Sequence, residues 1–432
     1  MQLWNEKLAL IRCLSPNERF QPVQLRRLSS GQQRALLLWL DQSGLALYLL
    51  ARLQQVDATS LLPGELLVGL QQRLEANRRR TDVLKEQLAQ VVAALDRRRL
   101  PYAILKGFSL SPQFCPDPAL RHQIDIDVLI RPEHTSAASD AILSSGYRRI
   151  RSLTPGELVF QTPLSKTPSR RDEVYSLPKH FKVELHSSLW EEVGGMTLNA
   201  PADNLLYTLR RFVEGVSFPV VPTERALIFH LLHVFRHLLA GWIRPSWLYE
   251  IAWFLNAPDA NPELCRRAMT LISNTLSAQA CGLPLCMASQ LFQVEIPAPL
   301  ARGLVDTLPR EMKAWCSEYA ERVVLCDPEG TKLGLLVERS FAKDRRAWRK
   351  RLLRRLAPFQ GRPYLGDVEA GQVIPRWSHR LKNGLFLLQR LRFHLIADLE
   401  FSWEALRFSK RLRNLPRPPV NDHGGLFPAQ SI

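Results

Sequence analysis

The chain has 432 residues, 46% of them hydrophobic and 23% charged, a balance that fits a folded globular protein and excludes disordered and fibrous classes. Lys and Arg total 58 against 41 Asp and Glu, a net charge of +17. Residues 339–417 hold 20 basic against 6 acidic side chains, a local +14, so attraction to polyanions belongs to the C-terminal part.

Seven cysteines, none in a Cys-x-x-Cys pair, read as reduced thiols and place the chain in the cytoplasm. The first residues lack the basic and apolar regions of a signal peptide. The longest apolar stretch, 226–243, is interrupted by His230, His233, Arg236 and His237. It predicts a buried helix, and no transmembrane segment is expected.

In chain order, residues 1–80 predict short packed helices, with Leu36, Leu37, Trp39 and Leu40 and then Leu45, Leu47, Leu49, Leu50 and Leu53 as their apolar positions. A longer helix is expected over 81–98. Leu84, Leu88, Val91, Val92 and Leu95 form its stripe, and Thr81 or Asp82 its N-cap. Residues 101–107 read as a turn, a short apolar strand and a glycine. The segment 124–130 alternates Ile124, Ile126 and Val128 with Asp125 and Asp127, and Pro132 ends it. A helix over 133–145 closes at Gly146. Residues 154–178 read mostly as loop or hairpin. The segment 181–185 alternates Phe181, Val183 and Leu185 with Lys182 and Glu184, and His186 continues the polar side.

From 203 to 300 the pattern reads as helical, most strongly over 223–240, with Trp242, Trp247, Tyr249 and Trp253 as core aromatics. Basic helices are expected over 343–356 and 381–399, before a loose Pro-rich tail from 415. The predicted division is a helical region 1–99, a core 100–200, a helical region 201–300 and a basic, mostly helical region 301–432.

The chemistry concentrates on three carboxylates. Asp125 and Asp127 share one side of a strand, and Glu184 occupies the polar side of a later one. If the two strands neighbour each other, these groups repel unless a hard cation neutralises them, and oxygen ligands suit Mg²⁺ or Mn²⁺.

The phrases Ile104-Leu-Lys-Gly107, Arg121-His-Gln-Ile-Asp125-Ile-Asp127-Val-Leu-Ile130, Gly146-Tyr147, Val183-Glu-Leu-His186 and Leu231-Leu-His233-Val-Phe-Arg-His237 resemble an uncharacterised, mostly bacterial family of the polymerase-β-like nucleotidyltransferase superfamily. The resemblance spans roughly residues 30 to 260. It implies an α+β fold, a small mixed sheet embedded in helical N- and C-terminal regions. It also implies transfer of a nucleoside monophosphate from a nucleoside triphosphate donor to an acceptor, with release of pyrophosphate. Asp125, Asp127 and Glu184 would be catalytic and hold the metal ions. Lys106, Gly107, Ser109, Arg121 and His186 would face phosphate or the acceptor. The wider superfamily often has Ser directly after the glycine, whereas Phe108 stands there and Ser109 is the nearest hydroxyl.

The acceptor is left open among small molecules and peptides or proteins, with a leaning to bacterial polysaccharide or natural-product biosynthesis. Two other readings use the same residues: a non-catalytic nucleotide- or polyanion-binding scaffold, and an RNA-end nucleotidyltransferase. Residues 339–417 would contact an anionic membrane or a nucleic acid, or form a solvated helical cover. His230, His233 and His237 share a helical face and read first as buried or pocket-lining histidines, with metal ligation second.

Overall fold

The structure is a computed structural model. It describes residues 3–15, 28–150, 157–163, 174–187, 192–193, 196–197, 208–258, 260–272, 275–326, 330–342, 344–356 and 376–414. Contacts divide the chain into two compact units: residues 1–193, 197–236 and 243–308 form the first, and 194–196, 237–242 and 309–432 the second.

The first unit opens with helices α1 (Trp4–Cys13), α2 (Ser30–Ser43) and α3 (Ala46–Gln55). A capping box between Ser29 and Gln32 starts α2, and Gly44, at φ +73°, ends it. No single helix among the described residues is long and apolar enough to cross a membrane. Helices α2 and α3 pass that test only as a pair bent by 103°, and their Leu36, Leu40, Leu45, Leu49 and Leu50 are buried.

Helix α4 runs from Gly64 to Arg97, so the helix expected from residue 81 starts well upstream and Thr81 lies inside it, not at its N-cap. Its buried stripe continues back through Leu74, Leu70 and Leu66. At Asn77, Arg80 and Thr81 the buried positions are polar, which breaks the hydrophobic period while leaving the helix intact.

The sheet has seven strands. They are β1 (Tyr102–Leu105), β2 (Asp125–Ile130), β3 (Arg148–Ile150), β4 (Glu157–Gln161), β5 (Lys182–His186), β6 (Leu209–Val213) and β7 (Val216–Val220), in the order β3-β4-β5-β2-β1-β7-β6. The β2/β5 and β1/β7 pairs are parallel and the others antiparallel. The helical expectation over 203–300 is therefore corrected at 209–220, a hairpin turning at Glu214 and Gly215, both at positive φ. Phe212 is 71% exposed, so one strand lacks the apolar face that would announce it. Within 154–178, β4 is a strand, whereas 154–156 and 164–173 lie outside the described residues, as does the tail from 415.

One sheet face carries Ile104, Ile126, Val128, Val183 and Leu185 against Leu84, Leu88 and Val91 of α4 and Ile142 of α5 (Thr135–Ser144). The other carries Ala103, Leu105 and Leu129 against Ala226 and Phe229 of α6 (Thr223–Ala240). Ile124, expected to face the core, precedes β2 and is 36% exposed. Helices α7 (Pro245–Asn256), α8 (Pro262–Thr270) and α9 (Thr275–Phe292) complete this unit.

In the second unit the main helices are α10 (Arg310–Leu325), α11 (Leu335–Phe341), α12 (Arg345–Leu356) and the long α13 (Arg376–Asn414). Glu404 of α13 is buried and accepts hydrogen bonds from Tyr319 Oη at 3.0 Å and Arg322 Nη1 at 2.8 Å. Ala397, Phe401 and Phe408 are buried on the same helix.

Candidate active site

Period-2 alternation assembles the site. Because Ile126 and Val128 point into the α4 side of the sheet, Asp125 and Asp127 emerge on the α6 side. On β5 the alternation of Val183 and Leu185 with Lys182, Glu184 and His186 does the same. The parallel register sets Asp127 directly beside Glu184 and Asp125 beside Lys182. In the antiparallel register with β1, Leu105 lies opposite Asp127, which brings the next residue, Lys106, to the carboxylates.

Asp127 is the hub, 4% exposed. Its Oδ1 is 3.0 Å from Lys106 Nζ and 2.8 Å from His186 Nε2. Burial alone would push its carboxyl up, but Lys106 and His186 overcome this and hold it well below the usual range. Burial also disfavours the Lys106 ammonium, and Asp127, Asp125 and Glu184 together outweigh it and raise the lysine's pKa. Asp125 goes the other way. Burial and then the Asp127 charge push its carboxyl up, against the opposing pull of Lys106, Arg121 and Lys182.

Lys106 has φ +49° and ψ −160°, a conformation sparsely populated by residues with a Cβ. It is held by the Asp127 ion pair and by a cation–π contact with Phe229 of α6, 5.7 Å from the ring centroid. Gly107 follows at φ +49°, where an added Cβ would lie 2.6 Å from Gln123 Oε1. Only glycine fits that turn without displacing a buried side chain.

Asp127, Glu184 and His186 each offer a ligand atom within 4.8 Å of the others. Asp125 sits two residues back on β2, opposite Lys182, while the His186 side chain reaches across to Asp127 Oδ1 and so joins this compact group. Two carboxylate oxygens in the group and a third carboxyl adjacent, raised by its like-charged neighbour, fit a divalent cation that would relieve the repulsion.

The remaining predicted residues lie around this hub. The Ser109 hydroxyl donates to the Lys106 carbonyl at 2.7 Å, so it braces the turn. Arg121 is ion-paired, its Nε 2.9 Å from Glu250 Oε1. Glu250 also accepts from Tyr48 Oη at 3.1 Å and is fully buried. His230 Nε2 lies 3.1 Å from the Trp247 carbonyl and 3.2 Å from Glu250 Oε2. His233 packs edge-on against Trp247. Among the described residues the three helical histidines form no metal-holding group.

Sequence reasoning missed Glu250, Tyr48, Phe229 and the buried Arg80. A signal existed for two of them: Glu250 is the one charge in the apolar run Trp247–Leu255, and Arg80 interrupts the apolar stripe of α4. The others carry no local mark.

A mixed sheet with a glycine turn after its first strand, an Asp-x-Asp on the second and a register-matched Glu on a parallel neighbour is the arrangement that the nucleotidyltransferase resemblance implies. The chain belongs to an uncharacterised nucleotidyltransferase family, whose model matches residues 29–292. That span covers the α2–α9 helices and the whole sheet. No curated protein matches the sequence.

Proposed function

We propose that Asp125, Asp127 and Glu184 bind a nucleoside triphosphate with Mg²⁺ or Mn²⁺ and transfer its nucleoside monophosphate to an acceptor oxygen. The observation that carries this reading is the pairing of Asp127 with Glu184 across parallel strands, with Asp125 two residues upstream on the same face. The acceptor oxygen forms a bond to the α-phosphorus, the bond to the bridging α–β oxygen breaks, and pyrophosphate leaves. The acceptor's proton passes to one of these carboxylates. Lys106 faces developing phosphate charge, and the Gly107 turn lets backbone approach the triphosphate. A bound divalent ion supplies charge stabilisation at the attacking and leaving oxygens.

The expected result is a rise in melting temperature with one nucleoside triphosphate that requires Mg²⁺ or Mn²⁺ and is lost in Asp125→Asn/Asp127→Asn, because a ligand that binds only the folded state stabilises it by mass action. No shift with any nucleotide would overturn the reading. Pyrophosphate release then screens acceptors, for which this reading favours small molecules or peptides of bacterial polysaccharide or natural-product biosynthesis over RNA ends.

For the basic C-terminal unit the same reading adds peripheral contact with an anionic membrane. Helix α13 exposes Leu388, Leu391, Leu395, Leu399, Trp403 and Leu406, an apolar face at helical spacing about 27 Å long at 1.5 Å per residue. Exposed Arg392, Lys410 and Arg413 on α13 and Arg349, Lys350 and Arg354 on α12 supply the charge, each worth about 1 kcal/mol near an anionic surface. The chain is expected to sediment with phosphatidylserine vesicles, and Leu391→Glu/Leu395→Glu to lose most of that binding. RNA binding without vesicle binding would replace the membrane by a nucleic acid.

A further inference from the structure

Beside the carboxylates, the first unit holds guanidinium groups that no described carboxylate pairs with. Arg73 forms a two-pronged pair with Asp41 at 2.6 and 2.7 Å, and Arg121 pairs with Glu250. Arg80 and Arg244 have no carboxylate partner among the described residues. Arg80 is 2% exposed and donates through Nε to the Ser176 carbonyl at 3.1 Å and through Nη2 to the Val174 carbonyl at 2.5 Å. Among the described residues its Nη1 has no acceptor. Half-buried Arg244, the residue before α7, has one hydrogen-bond contact among them, Nη2 to His122 Nδ1 at 3.4 Å. Tyr175, also 2% exposed, has a hydroxyl with no partner among them.

These groups belong to one cluster. Arg80 and Arg244 repel each other, and both interact with Tyr175. His122 stands between them, its Nε2 2.9 Å from the Val174 carbonyl and its ring edge-on to Tyr175. Burial, then Arg244 and Arg80, push the His122 pKa down to about 3, so the imidazole is neutral and adds no further charge. Arg244 also feels the charge of Glu250 and then of Asp125, so both carboxylates act on the cluster.

A buried guanidinium without an anion is costly, and so is a buried donor without an acceptor. Two guanidinium groups without a carboxylate pair among the described residues, one buried and one half-buried, with orphaned donors on Arg80 and Tyr175, match a doubly charged, many-acceptor ligand. We propose that Arg80, Arg244 and Tyr175 form an anion site that binds a phosphate dianion carried by one of the two substrates. The inference rests on the proposed reaction only for which molecule carries that phosphate, the triphosphate tail of the donor or a phosphorylated acceptor.

Inorganic phosphate is the probe, titrated into the full chain with chelator present and followed by calorimetry and melting temperature. Wild type is expected to bind phosphate and to be stabilised by it. Arg244→Gln is expected to weaken binding about tenfold or more, the effect of losing a charged hydrogen-bond donor. Tyr175→Phe removes only the orphaned hydroxyl and is expected to weaken binding by a smaller factor with an unchanged phosphate-free melting temperature. Competition between phosphate and nucleoside triphosphate would assign the site to the donor, and simultaneous binding to the acceptor. Asp125→Asn/Asp127→Asn is expected to keep phosphate binding while losing the metal-dependent nucleotide shift, so failure of the transfer reading and failure of the anion site give different results. Absence of phosphate binding in wild type, or equal affinity in wild type, Arg244→Gln and Tyr175→Phe, would overturn the proposal.

Discussion

Asp127→Asn is expected to abolish nucleotide transfer while leaving the fold in place. The substitution keeps the shape and one carbonyl oxygen of the side chain, so it can still accept from Lys106 Nζ and His186 Nε2, which contact Oδ1 at 3.0 and 2.8 Å. Lys106 also retains the fields of Asp125 and Glu184, so its buried ammonium is not stranded. The negative charge at the centre of the group is what disappears. Charge stabilisation at a metal-assisted phosphoryl centre is worth several kcal/mol, and each 1.36 kcal/mol is tenfold in rate, so turnover should fall by about three orders of magnitude or more. Pyrophosphate release and thermal melting measured on the same preparation check both halves. Unchanged turnover would move the chain to the scaffold reading, in which the carboxylates bind but do no chemistry.

Glu250→Gln should be the most destabilising single change in the first unit outside the apolar core. The carboxylate neutralises Arg121 at 2.9 Å, accepts from Tyr48 and lies beside His230, all away from solvent. Removing one partner of a buried pair leaves the other charge uncompensated and costs about 3–5 kcal/mol. Urea unfolding reads this directly. Replacing both partners, as in Arg121→Met/Glu250→Leu, should recover much of the loss, because the pair's own desolvation disappears with it. Near-wild-type stability of Glu250→Gln would mean that Arg121 is not held by this charge.

The pH dependence has a defined sign. Burial would raise the Glu250 carboxyl, but Arg121 and then His230 outweigh it and depress its pKa. A group depressed in the folded state contributes stability that is present above its unfolded value, about 4.3, and is lost as pH falls through the folded value. Wild type should therefore lose more stability than the double variant as pH falls below about 4.

Local alternation carries the strand faces of β2 and β5, whereas features set by distant partners leave little local mark. The alternation of β2 and β5 is visible in single short segments, because each strand has one face on the α4 core and the carboxylates fall on the other. The α4 stripe from Leu84 to Leu95 is likewise plain. Its upstream half was hidden because Asn77 and Arg80 occupy stripe positions but serve backbone carbonyls far along the chain. Asn77 Nδ2 donates to the Ala119 and Arg121 carbonyls at 2.6 and 3.1 Å, and Arg80 to the 174–176 segment. A polar residue in a stripe ends a hydrophobic pattern, although it need not end a helix.

The hairpin at 209–220 was missed for a related reason. Its place in the sheet comes from β7 pairing in parallel with β1, Ile104 opposite Val220, and β6 is an edge strand whose Leu209 and Phe212 are exposed. No local alternation records such a pairing.

The amino-acid order alone determined that two strands would each present carboxylates on a single face, since backbone geometry alternates side chains regardless of what the rest of the chain does. It also determined the glycine turn and the basic C-terminal helices. Tertiary structure alone decided that Asp127 meets Glu184 in register, that Lys106 and His186 share the Asp127 carboxylate, and that Glu250 pairs with Arg121. It also gathered Arg80, Arg244 and Tyr175 beside them. Those juxtapositions join residues up to 164 positions apart in the numbering, 244 − 80, and proximity across such spans is set by packing of the two sheet faces, on which local sequence pattern carries no information.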